Sequence, residues 1–167
     1  MATSKRKSAE TNTLSDASLR QHLMDLLKGG NAHVGFLDAL KNFPANKRGA
    51  FAKGLPHTAW QLLEHIRIAQ WDILEFSRNS DHESPAWPEG YWPKADGTAE
   101  RWRESVRQVL ADLDAFRDLV RDDSVDLFAP IPHGEGQTVL REILLVADHN
   151  AYHLGQLMLL RRMLEHK

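Results

Sequence analysis

Two histidines, His149 and His153, stand four residues apart in the run Asp148-His149-Asn150-Ala151-Tyr152-His153, inside a long apolar-periodic segment. On a helix, positions i and i+4 lie one above the other on a single face. Imidazoles stacked in that way can share one metal ion, with a third ligand supplied by a neighbouring helix. His65, in Leu62-Leu63-Glu64-His65-Ile66, is the best-placed third ligand. The pair by itself is a weak signal: with 9 His in 167 residues, about 0.5 such spacings arise by chance. The rival reading is a pair of helix-surface imidazoles.

Context favours ligands. Asn150 and His153 fall on the apolar stripe of their segment, and buried polar groups without partners are costly. A metal ion would satisfy several imidazoles together, and neutral imidazole suits Zn²⁺, Ni²⁺ or Fe²⁺. Three protein ligands leave a position open for substrate or water, as in a catalytic site. The second ring nitrogen of each ligand needs an acceptor. Among Glu64, Asp72, Asp148 and Gln156, spacing favours Asp72 and Gln156. His33 is read either as lining the pocket or as a core histidine paired to a backbone carbonyl. His57 is expected in a loop contact near the bundle end, His133 as a solvent-exposed loop residue or, alternatively, at the mouth of the site, and His22, His82 and His166 on the surface. No residue is singled out as general base.

The composition is that of one soluble domain. At 167 residues, 42% apolar and 26% charged, the chain is long enough for a real core. The net charge of −2 gives no general basic footprint, so nucleic acid is an unexpected partner. Cysteine is absent. Disulfides, thiolate ligands and a cysteine nucleophile are therefore excluded, and any metal must rest on His and carboxylates. No apolar run approaches the ~18 residues of a membrane span. The basic cluster Lys5-Arg6-Lys7 is followed by no apolar region of the secretory type. Residues 1–13 are expected to form a mobile polar tail, residues 14–167 a single domain, and the location is expected to be cytoplasmic.

Four segments must position these side chains. The first spans about Asp16 to Leu40, with Leu19, Leu23, Leu26, His33, Leu37 and Leu40 in register and Gly29-Gly30 set to break or kink it. The second opens at Thr58, where Thr58-Ala59-Trp60-Gln61 has the form of a capping box. Leu62, Ile66, Ala69, Ile73 and Phe76 make its apolar stripe, and His65 lies on the flank. The third runs from about Thr98 to Val120 on Trp102, Val106, Val109, Leu113, Phe116 and Val120. Its charged residues, Asp112 among them, read as a solvated face. The fourth runs from about Thr138 to the C-terminus on Val139, Ile143, Val146, Asn150, His153, Leu157, Leu160 and Leu164. Such a pattern argues an all-α four-helix bundle. Residues 78–97 form an unusually long connection whose Trp87, Tyr91 and Trp92 either wall a pocket or cover the side of the bundle.

At the segments around His65 and around His149 and His153, the chain resembles the DinB-like (DinB/YfiT) family of bacterial metalloenzymes, which carries one His on its second helix and His-x-x-x-His on its last. The resemblance extends over roughly residues 16–165. It implies a bundle of up-down-down-up topology and a divalent transition metal, nickel or zinc, held by His65, His149 and His153. It also implies homodimers.

Three functions compete. In the first, the chain is a metal-dependent enzyme; the resemblance implies a transferase or isomerase using a low-molecular-weight thiol such as bacillithiol or mycothiol, whose pKa the metal would lower, and a hydrolytic variant would activate water instead. In the second, it is a non-catalytic, stress-associated metal-binding protein of the same fold. In the third, it is a dimerising helical scaffold with core histidines.

Overall fold

The computed structural model describes residues 2–41 and 43–165, with side chains from Ser15 onward. Five helices follow in order: α1 (Ala2–Lys28), α2 (Phe36–Leu40), α3 (Ala59–Arg78), α4 (Ala99–Arg121) and α5 (Val139–Glu165). Among the described residues there is no strand, only an isolated bridge between Pro130 and Thr138. The fold is all-α. The tail expected over residues 1–13 and the surface position expected for His166 fall outside the described side chains, and the backbone of α1 begins at Ala2.

The segment expected over Asp16 to Leu40 is two helices. Gly29 and Gly30 have φ of 69° and 82°, a conformation glycine adopts without the Cβ penalty. The chain leaves α1 there and re-enters a helix only at Phe36. The register is lost across the break, so His33 and Leu37 are exposed while Leu40 is buried; within α1 itself Leu23 is buried and Leu26 exposed.

α3 starts as the sequence predicts. The Thr58 hydroxyl accepts from the Gln61 N–H, and the Gln61 side chain accepts from the Thr58 N–H at 2.9 Å. Two otherwise orphaned donors are thereby satisfied. Thr98 caps α4 in the same manner, accepting from the Arg101 N–H. All eight stripe residues expected on α5 are buried.

Cross-helix hydrogen bonds give the pairing. Ser105 meets Glu64, and Gln70 donates to the Val109 carbonyl, so α3 and α4 run alongside in the same direction. Gln70 also accepts from Asn150, one turn from the place where His65 meets His149 and His153, so α3 and α5 are antiparallel. Arg20 reaches the Val120 carbonyl, and Arg117 reaches that of Leu27, so α1 runs against α4. The core lies between these helices, filled by fully buried Leu63, Ile66, Leu74, Phe116, Ile143, Leu157 and Leu160. Asp112 departs from the solvated face expected on α4. It is 4% exposed, with Oδ1 accepting from Gln108, and desolvation pushes its carboxyl above the ordinary value.

Candidate metal centre

His65 comes from the middle of α3, and His149 and His153 from successive turns of α5. Because α3 and α5 are antiparallel neighbours, the three rings meet between them. One nitrogen from each lies within 4.8 Å of the others. His65 and His153 are 6% and 8% exposed, and His149 is half-buried.

Hydrogen bonding assigns the nitrogens. His65 Nδ1 lies 2.9 Å from the Tyr91 carbonyl, and His153 Nδ1 lies 2.8 Å from Gln156 Oε1. Both partners are acceptors, so both Nδ1 atoms carry the proton, and each Nε2 is left with a lone pair. His65 Nε2 is 3.2 Å from His149 Nε2. Two lone pairs at that separation repel unless a proton or a cation lies between them. Nitrogens bound at about 2.0–2.1 Å to one tetrahedral ion sit about 3.3–3.4 Å apart, close to the distance found. His149 Nδ1 and Asn150 Oδ1 are buried without a hydrogen bond of normal geometry, although the Asn150 amide still acts weakly on the ring in favour of its charged form.

Electrostatics keeps the cluster neutral. Burial, followed by the neighbouring His153 and His65, pushes His149 down to about 4. Burial also lowers His65 and His153, opposed by the Tyr91 carbonyl in one case and by Gln156 in the other. Neutral imidazole is the form that binds a metal. Three nitrogen donors without thiolate suit a borderline divalent transition ion, so the residues present fit the ion that the sequence suggests.

The long connection forms one wall of the site. The Trp92 indole stacks on His65 at 4.2 Å between ring centres and 10° between planes. His57 also stacks on Trp92, 4.0 Å between ring centres and 16° from parallel. Tyr152, 65% exposed, sets its ring edgewise to His153 at 4.9 Å.

Of the residues proposed to support the ligands, Gln156 touches one directly. Asp72 does not: its two oxygens take His82 Nε2 at 2.8 Å and the Tyr91 hydroxyl at 2.6 Å, so it reaches His65 only through Tyr91. His33 stands apart from the cluster. Its Nδ1 bonds the Val34 carbonyl, and it borders a cavity of about 300 Å³ lined by Leu26, Phe36, Ala147, Ala151 and Leu154. Ala147 and Ala151 lie on the side of α5 opposite His149, so that cavity and the imidazole cluster are separate. His133 is exposed and bonds the Phe76 carbonyl, three turns of α3 from His65. His82, expected at the surface, is 6% exposed in its side chain and paired with Asp72. Sequence reading also missed the Tyr91 carbonyl and the His57–Trp92 stack; the aromatic content of the connection was the one signal available.

A family model described as the DinB superfamily matches residues 11–157. No curated protein and no solved structure matches the chain.

Proposed function

The chain belongs to the DinB superfamily, and from that premise we propose that it is a divalent-metal-dependent enzyme whose ion is held by His65, His149 and His153. The observation that carries this reading is the convergence of three ring nitrogens, two of them fixed as lone-pair donors by acceptors on the far side of their rings. Nickel or zinc suits the donor set. A divalent ion with three protein ligands supplies an open position and lowers the pKa of a bound thiol or water.

The reaction we favour is attack of a low-molecular-weight thiol, as its thiolate, on an electrophilic small molecule: a carbon–sulfur bond forms, the thiol proton passes to solvent and the electrophile's leaving group departs. A chain without cysteine must receive its sulfur nucleophile from a substrate. The indole of Trp92 covers one face of His65 and keeps water from it, while the exposed Tyr152 beside His153 offers an aromatic edge to an incoming molecule. We place the protein in the cytoplasm as a homodimer acting on small molecules. No helix among the described residues is long and apolar enough to cross a membrane.

The test is elemental analysis of protein purified without a histidine tag. One divalent ion per chain is expected in the wild type and none in a His149→Ala/His153→Ala variant of unchanged helicity. Stoichiometric metal in the variant, or none in the wild type, refutes the site. A metal-bearing wild type that turns over no thiol with any electrophile in a broad screen would instead support a non-catalytic metal-binding role.

A further inference from the structure

His65 and His153 hold their free nitrogens inward by different means. His153 leans on a side chain of its own helix, Gln156. His65 leans on a backbone carbonyl, that of Tyr91, contributed by a connection with no long helix of its own. A carbonyl in a loop orients a ring only if the loop is held. The structure shows how this one is held. Asp72 lies two turns beyond His65 on the same face of α3, about 10 Å along the axis. Its Oδ1 takes His82, near the start of the connection, and its Oδ2 takes the phenol of Tyr91, near the end. Tyr91 therefore lies along α3 as a spacer, with its hydroxyl at Asp72 and its carbonyl at His65. Asp72 is 8% exposed, and the His82 ring packs edgewise on Trp71. Burial and then Asp72 raise the Tyr91 phenol to about 12, so it remains a donor throughout the physiological range. Trp92, the next residue, seats its indole on the His65 ring.

We infer that Asp72, Tyr91 and His82 are positioning residues for the metal centre: the clasp they form ties the 79–98 connection to α3 and thereby sets which nitrogen of His65 faces His149 and His153. This rests on the three imidazoles being metal ligands. The carbonyl itself cannot be removed by changing a side chain, so the clasp is the part of the device that substitution can reach. Groups that orient a metal-bound histidine are typically worth about 10–100-fold in metal affinity.

Cobalt(II) is the probe, titrated into the metal-free full chain, with affinity and visible absorption as readouts. Tyr91→Phe keeps the length of the spacer and removes the tether. Asp72→Asn keeps the shape and removes the charge. Both are expected to weaken Co(II) binding about 10–100-fold and to alter the absorption bands while helicity is retained. His82→Gln, which still offers a donor to Asp72, should keep the wild-type affinity that His82→Ala loses. A merely structural clasp would lower the melting temperature in these variants and leave affinity and spectrum alone. Wild-type affinity and spectrum in Tyr91→Phe and Asp72→Asn would overturn the positioning role and leave the three-imidazole site standing. No Co(II) uptake by the wild-type chain would overturn that site, and this inference with it.

Discussion

Burial of three imidazoles in one place costs the folded chain something whenever they are protonated. Unfolded, each ring titrates near 6.5; folded, His149 lies at about 4, and His65 and His153 are also lowered. Protonation then favours the unfolded chain. The stabilising contribution is complete above about pH 6.5, shrinks as the pH falls from there, and for His149 is exhausted near pH 4. The metal-free protein is therefore expected to melt at a lower temperature at pH 5 than at pH 7.5, and His149→Gln should flatten that dependence. Equal melting temperatures across this range would contradict the burial of the cluster. That these three rings would meet was legible in the sequence. The spacing of His149 and His153 names a face, and a face is what a helix preserves. His82 shows the opposite: nothing in its neighbours signals that a loop histidine will fold its side chain back onto Asp72.

Among the elements, α3 matters most, because it carries His65, Asp72 and Gln70 and packs on both α4 and α5. Its start is fixed by Thr58 and Gln61. Thr58→Ala removes the acceptor for the Gln61 N–H and is expected to cost about 1 kcal/mol, measurable in urea unfolding. No change would indicate that the first turn is held by packing alone. This capping box was legible because it is a local pattern of residue types. The stripe of α5 was legible for the same reason, with Asn150 and His153 standing out as polar members of a buried row. The first segment was legible only in part. Its leucines keep their spacing across Gly29-Gly30, but spacing carries no meaning once the backbone turns out of the helix, and Leu37, beyond the break, ends 55% exposed. The 78–97 connection was legible only in its length and its aromatic content, of which Trp92 does wall the site. Its contribution is a carbonyl and a stacked ring, and a carbonyl is common to every residue type. Gly97 is constrained by the same wall, since a Cβ there would lie 2.5 Å from the Trp60 indole.

At the scale of the whole bundle, one polar bridge crosses the core. Gln70, fully buried, donates to the Val109 carbonyl of α4 and accepts from Asn150 of α5 at 2.7 Å each. It joins three helices at the level just below the imidazoles. Gln70→Leu leaves the Asn150 amide unpaired in an apolar setting, at a cost of about 1–3 kcal/mol, while the Val109 carbonyl, in the middle of α4, keeps its helical partner. Chemical denaturation should report a loss in that range, larger than that of Asn150→Leu combined with Gln70→Leu minus the packing difference, because the double replacement orphans one group fewer. A loss below about 0.5 kcal/mol would mean that the bridge contributes little.

The donors proposed for the ion are divided between two rods that are distant in sequence, with 84 positions separating His65 from His149. A cation gripped by both behaves as a reversible weld across the bundle. At a free concentration a thousandfold above its dissociation constant, it would add about 4.1 kcal/mol to the resistance of the fold against heat. Chelation would withdraw that reinforcement, so the durability of the protein would rise and fall with the supply of metal around it.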